Sequence, residues 1–234
     1  MSETHLTPQP LRLLILDCDG VLIDSEPPSS RLIGAELRAA GLDISDTQAM
    51  HRFAGNTLAR IMAELEAQDG IRMPANWPEL MHVRLVAMLE QEATLIDGAR
   101  EMLEAAAALG LPVRVASNSS HEEMEVKFRR TGLDTLLAGR LHSARDVGRP
   151  KPWPDLFLSA AAAEGVDPGA CLVVEDSDTG LQAARAAGMA CIVLRPGGVL
   201  PVAADGHVSE VRRIDHLQAV EGLLVAAMRG NPVP

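Results

Sequence analysis

"LLILDCDGVLIDSE", residues 13–26, decides the fold. Together with Leu11 and Arg12 it opens a nearly continuous apolar run over 11–16, the pattern of a strand buried on both faces of a parallel sheet. The run stops at two aspartates one residue apart, with Asp24 and Glu26 close behind. Side chains alternate along a strand, so Asp17 and Asp19 face the same way and Cys18 the opposite way. Carboxylates that close repel, and one takes up a proton unless a cation intervenes. Magnesium, a hard cation that takes oxygen ligands in octahedral geometry, relieves the repulsion. An ionised Asp17 can then act as a nucleophile towards phosphorus, and Asp19 as acid and base for leaving group and water. Gly20 allows the tight turn that follows. Taken alone, "DCDG" reads equally well as a polar turn, because Asp and Gly are common turn residues.

Similar apolar runs recur at 112–116, 171–174 and 190–194. Helical patterns lie between and after them, at 99–109, 122–131, 153–164, 178–187 and 215–229. Strands alternating with helices predict an α/β fold with a doubly wound parallel sheet, whose ligands bind beyond the carboxyl ends of the strands. One interval breaks the rhythm. Residues 27–93 carry helical stretches at 29–40, 58–68 and 78–91 and no clear strand, too much for one crossover connection. The expected organisation is a catalytic core over 11–24 and 95–234, an inserted all-helical cap over 25–94, and a loose N-terminus over 1–10.

The bulk composition narrows the function classes. A net charge of −11 disfavours phosphate-backbone binding. Aromatic residues make up 2% of the 234, with no Tyr, so base-stacking platforms are not expected either. No nucleic-acid partner is expected. The three cysteines, Cys18, Cys171 and Cys191, have no metal-binding spacing and suit reduced, buried thiols. The first ten residues are polar, and no apolar run reaches the ~18 residues of a membrane span. The expectation is a cytoplasmic protein without a membrane partner. Basic residues are lopsided: nineteen Arg against two Lys, Lys127 and Lys151.

"DCDGVLIDSE" resembles the first motif of the haloacid dehalogenase superfamily, DxDG[VT], and the flanking "VLIDSE" resembles the subgroup with a helical cap inserted after it. The family's other motifs follow in order. "VRVASNSS" places Ser117 and then Asn118 at the end of a strand, where the resemblance implies that the hydroxyl and the next backbone N–H hold the phosphate. Ser120-x-x-Glu123 reads as a capping box for the helix that follows. "GRPKPWPDLF" supplies Lys151, which the resemblance assigns to neutralising the nucleophile and the transferring phosphoryl group. "LVVEDSDTG" supplies Glu175 and Asp176, which by resemblance complete a magnesium site with Asp17 and the backbone carbonyl of Asp19. Asp176 is expected to be a direct ligand, with Glu175 ligating or holding a metal-bound water. Asp178 falls at a variable position and receives no catalytic role.

Within that family a dehalogenase lacks the second acidic residue, and a phosphonatase needs a cap lysine that this chain does not have. β-Phosphoglucomutase-like mutases resemble this sequence more closely. They place a His where this chain has Ser29, and a phosphate-binding Arg where the alignment puts Leu58, with Arg52 and Arg60 as possible substitutes. The expectation is therefore a magnesium-dependent phosphatase of a small phosphorylated metabolite, working through an aspartyl-phosphate. A mutase is the alternative, and a non-catalytic phospho-ligand binder a minor one. "FAGNT" resembles the cap loop that reaches the site, making Gly55, Asn56 and Thr57 candidates for reading the leaving group; a plain interhelical turn is the competing reading. His51, Arg52 and His121 read as ordinary surface, and Met62, Met81 and Met88 as cap packing.

Overall fold

The computed structural model describes residues 7, 9–53, 57–198 and 211–229. Strand β1 (Leu13–Leu16) leads through the short β2 (Ile23–Asp24) into four helices: α1 (Glu26–Ala39), α2 (Asp46–Phe53), α3 (Leu58–Glu64) and α4 (Trp77–Glu92). The chain returns through β3 (Thr94–Leu95), which pairs antiparallel with β2. Next come α5 (Ala99–Ala108), β4 (Val113–Ser117), α6 (His121–Thr131), α7 (Asp134–Leu137), β5 (Leu141–Ser143), α8 (Ala144–Val147) and α9 (Asp155–Glu164). The remainder is β6 (Cys171–Glu175), α10 (Asp178–Ala186), β7 (Ala190–Leu194), β8 (Val211–Ile214) and α11 (Gln218–Met228).

Six strands form one parallel sheet in the order β5-β4-β1-β6-β7-β8. Alternation along the central strands explains why both faces are covered. Leu14, Leu16, Val115, Leu172, Val174 and Ile192 turn to one face, with Met102, Phe128 and Leu224 of α5, α6 and α11. Leu13, Ile15, Cys171, Val173, Cys191 and Val193 turn to the other, with Phe157 of α9 and Ala184 of α10. The three cysteines are buried and unpaired. The strand order reverses between β1 and β6, and in parallel sheets such a switch point is where a ligand crevice opens.

The helices between β2 and β3 have a separate apolar cluster that includes Leu37, Phe53, Ile61, Leu65, Trp77 and Met81. Met81 is at its centre and Met62 packs against it, whereas Met88 packs on the core cluster instead. No helix among the described residues is long and apolar enough to cross a membrane. Of residues 1–10, expected to be loose, Thr7 is buried and Gln9 is tied to the core through Gly169 O at 3.2 Å and Asp167 Oδ1 at 3.0 Å.

Several short elements were not anticipated from the sequence, α7 and α8 among them. β5 and β8 are the sheet's edge strands, three and four residues long with sequences LHS and VRRI, too short and polar to show a buried run. The β2–β3 ladder is only two residues long on each side. Helix α2 carries Asp46, His51 and Arg52 and buries only Ala49 and Phe53, so its apolar face is two residues wide.

Candidate active site

Every motif residue predicted from the sequence and described here lies at the carboxyl end of the sheet. Asp17 follows β1 directly, and its amide donates to Val174 O at 3.0 Å. The chain then doubles back: Leu22 and Ile23 amides both reach Cys18 O at 2.9 Å, and Gly20 N reaches Ile23 O at 2.9 Å. Gly20 has φ of 77°, and a Cβ there would stand 2.0 Å from Asp176 Oδ2, so the turn both needs the left-handed region and must let the β6 carboxylate approach.

Lys151 joins the two central strands. Its ammonium donates to Asp17 Oδ1 at 2.8 Å and to Glu175 Oε1 at 2.6 Å, with the lysine 6% exposed. The lysine is set by its own backbone, whose amide donates to Asn118 Oδ1 at 2.9 Å, and the Lys151–Pro152 peptide is cis. The Asn118 side chain is thus committed to holding the lysine loop. Glu175 is fully buried; its Oε2 accepts from the amides of Asp176 and Ser177, each at 3.0 Å, and from Ser177 Oγ at 2.9 Å. Ser177 caps α10 by accepting from Gly180 N at 3.0 Å. Ser120 and Glu123 form the expected capping box at the start of α6. Ser117 is 2% exposed and its Oγ accepts from Ser119 N at 3.1 Å.

Asp17, Glu175 and Asp176 each place a carboxylate oxygen within 4.8 Å of the others. Burial, then Glu175, push Asp17 up to about 7 despite Lys151 beside it. Burial, then Asp17 and Glu175, push Asp176 up to about 8. One ammonium does not neutralise three clustered carboxylates, so the donor set is short of positive charge and consists of hard oxygens. A divalent cation such as magnesium fits both features.

A cavity of about 940 Å³ opens from this cluster towards the helical segment. Asp17, Ser117, Asn118, Lys151 and Asp176 line it from the sheet side, and Ser29, Thr57, Leu58, Glu79 and His82 from the helical segment. Thr57 is also the N-cap of α3, accepting from Arg60 N at 3.2 Å; Gly55 and Asn56 lie outside the described residues. Arg52 is engaged within the helical segment by Glu64 at 2.8 Å and by Asp69, and does not line the cavity. Asp178 pairs with Arg195 at 2.6 Å and His121 with Asp146 at 2.7 Å, both at the surface.

The sequence reading missed Lys127. Its ammonium donates to Asp19 Oδ1 at 2.7 Å, to Asp19 Oδ2 at 2.9 Å and to Ser119 Oγ at 3.1 Å. Ser119 Oγ donates to Asp19 Oδ2 at 2.8 Å, and Ser25 Oγ donates to Asp19 Oδ1. Burial would raise Asp19, but Lys127 and these hydroxyls outweigh it and hold the carboxyl below its ordinary range. A signal was present: Lys127 falls on the buried face of α6 between Met124 and Phe128, where an apolar residue is expected.

Fold and site together define a hydrolase built on a doubly wound parallel sheet, with an aspartate at the end of the first strand. The description "haloacid dehalogenase-like hydrolase" matches residues 11–188, and the chain belongs to that family. It is 33% identical over 195 residues to hexitol phosphatase B of Escherichia coli strain K12, covering 80% of this chain and 85% of that one. It is 30% identical over 180 residues to 6-phosphogluconate phosphatase of the same strain, covering 76% and 80%. Among solved structures, a conserved haloacid dehalogenase-like protein of Agrobacterium tumefaciens superposes with a TM-score of 0.76 at 35% identity, over 92% of this chain and 98% of that one.

Proposed function

We propose that this protein is a magnesium-dependent phosphatase that hydrolyses a small phosphomonoester, a sugar phosphate or a similar metabolite, through an aspartyl-phosphate. The observation that carries the reading is the position of Lys151 between Asp17 and Glu175, with Asp17, Lys151 and Asp176 lining the cavity. Two relatives at 30% and 33% identity are named for phosphatase activity on phosphorylated sugar derivatives, which supports the same class of substrate here.

In the first half-reaction an Asp17 oxygen attacks phosphorus, the bond from phosphorus to the substrate oxygen breaks, and Asp19, which rests ionised beside Lys127 and enters this step having taken up a proton, gives that proton to the leaving oxygen. Lys151, the Ser117 hydroxyl and the Asn118 backbone N–H hold the phosphoryl oxygens as charge develops. In the second half-reaction water attacks phosphorus, its proton passes to Asp19, and the bond from phosphorus to Asp17 breaks to restore the carboxylate. Asp17, Asp176 and the Asp19 carbonyl would hold magnesium, with Glu175 ligating or holding a metal-bound water. The bound metal supplies the positive charge that keeps Asp17 ionised next to the incoming phosphate. Residues 25–94 act as the cap that shields this chemistry from bulk water, and Thr57, with Gly55 and Asn56, contributes to reading the leaving group. Against the mutase alternative stand Ser29 and Leu58, which line the cavity where a His and an Arg would be needed, and Arg52, which is engaged elsewhere.

The test is phosphate release from a panel of sugar, polyol and aldonate phosphates, with magnesium or with EDTA, for the unaltered protein and Asp17→Asn. Magnesium-dependent release that disappears in Asp17→Asn is expected. Conversion of a sugar 1-phosphate to its 6-phosphate without net release makes the protein a mutase. Phosphate binding with no turnover of any compound makes it a binder.

A further inference from the structure

Both lysines of this chain are buried in the cleft, each on one of the two aspartates that follow β1: Lys151 on Asp17 and Lys127 on Asp19. The other nineteen Lys or Arg positions are Arg, so every lysine in the chain sits where a compact ammonium meets a carboxylate out of water. We propose that Lys127 is a positioning residue for Asp19, acting through that carboxyl on the proton transfers to the leaving oxygen and from water. The inference rests on the phosphatase reading of the site and on Asp19 as its acid and base.

The geometry leaves Lys127 little else to do. It is 2% exposed, and its three donors are taken up by the two Asp19 oxygens and Ser119 Oγ. Each Asp19 oxygen receives two donors, Lys127 with Ser25 on Oδ1 and Lys127 with Ser119 on Oδ2, so all four lone-pair directions are filled. To reach a substrate oxygen the carboxyl must release at least one of these bonds. Separating a buried ammonium from the carboxylate it is bonded to is far more costly than breaking a hydroxyl bond. The hydroxyls of Ser25 and Ser119 therefore give way first, and Lys127 stays on the carboxyl as the fixed point about which it turns. The ammonium is carried by α6, whose buried residues Met124 and Phe128 belong to the core cluster, so the pivot is set by the core rather than by the cap.

An ion pair that merely braced α6 against the loop after β1 would leave the same contacts, and leaving-group chemistry separates the two roles. kcat/KM reports on the steps up to formation of the aspartyl-phosphate when that step is irreversible. An alkyl phosphate needs its leaving oxygen protonated there, whereas p-nitrophenyl phosphate does not. In Lys127→Met, kcat/KM for an alkyl phosphate substrate is expected to fall by about 10²-fold, the usual worth of general acid catalysis, and that for p-nitrophenyl phosphate by about fivefold or less. The ratio of the two constants is independent of how much of the variant is folded. In an Asp19→Asn background, Lys127→Met is expected to add no further selective loss. Equal losses on both compounds, or a full additional loss in the double variant, would show a structural brace and overturn the proposal. If Lys127→Met does not fold, Lys127→Arg, which keeps the charge but moves it, is put to the same two-substrate comparison: a selective loss on the alkyl phosphate supports the positioning role, and equal losses overturn it. Failure of the unaltered protein to hydrolyse either compound removes the phosphatase reading itself, and the proposal with it.

Discussion

Glu175 takes Lys151 on one oxygen and the turn that leads into α10 on the other: Oε1 lies 2.6 Å from the ammonium, and Oε2 accepts from the Asp176 and Ser177 amides at 3.0 Å. Both oxygens are thus in use within the protein, which suits a residue that orients Lys151 and Asp176 better than one that grips the metal itself. Glu175→Gln is expected to weaken magnesium binding by about tenfold, in line with residues that support a ligand, and Asp176→Asn by considerably more, both read by calorimetric titration. Glu175→Ala leaves Lys151 with Asp17 alone and takes the acceptor from two amides, and is expected to cost about 1–3 kcal/mol in urea denaturation. Loss of all magnesium binding in Glu175→Gln would instead make Glu175 a ligand in its own right.

The same carboxylate explains a glycine. A Cβ at Gly180 would sit 1.8 Å from Glu175 Cδ, and the fully buried carboxylate has no room to retreat. Gly180→Ala is expected to lose about 1–3 kcal/mol by overpacking and to reduce activity along with it, because Glu175 is pushed off Lys151. Gly222 supplies the control: it lies within α11 with nothing inside 4 Å of a new Cβ. Gly222→Ala is expected to gain up to about 1 kcal/mol from helix propensity alone, with unchanged kinetics. Thermal unfolding of the two variants side by side checks both.

What the sequence made legible follows from how strongly each element depends on its own residues. The central strands β1, β4, β6 and β7 are buried on both faces, so their apolar runs stand out, and each motif residue of the core sits at or just after the end of β1, β4 or β6 or in the loop before α9. The edge strands β5 and β8 are specified by a neighbour's open ladder rather than by an apolar run of their own. The Lys127–Asp19 pair was hidden for a related reason. The partners are 108 residues apart, and only the tertiary fold turns a lysine in the buried phase of α6 towards the loop after β1. The general expectation that a lysine is solvated surface is correct for most proteins and fails here for both.

That failure has a direct chemical consequence. Lys127 is 2% and Lys151 6% exposed, and each ammonium is bonded to carboxylates, so neither is available as a free amine. An amine-acylating reagent applied to the folded protein is expected to modify neither lysine, and both after denaturation, as read by peptide mass spectrometry. Rapid modification of Lys127 in the folded state would mean that its pairing with Asp19 opens readily in solution.

The carboxylate cluster makes stability depend on pH and on metal in linked ways. Asp17 and Asp176 stand at about 7 and about 8 in the folded, metal-free protein, raised first by burial and then by each other and Glu175, against an ordinary value of 3.8. Between those values the folded protein holds protons that the unfolded chain has already released. Their contribution to stability is therefore complete below about pH 3.8 and is lost as pH rises through about 7 and 8. Asp19, held low by Lys127, titrates below this window and does not offset the loss within it. Magnesium at this cluster would bind the ionised carboxylates, so its stabilising effect is expected to run the other way with pH. In EDTA the unfolding temperature is expected to be lower at about pH 8.5 than at about pH 5.5, and added magnesium to raise it more at the higher pH. Differential scanning calorimetry at the two pH values, with and without magnesium, makes the comparison. An equal magnesium shift at both would mean that Asp17 and Asp176 are already ionised without metal, and that Lys151 alone supplies the charge the cluster needs.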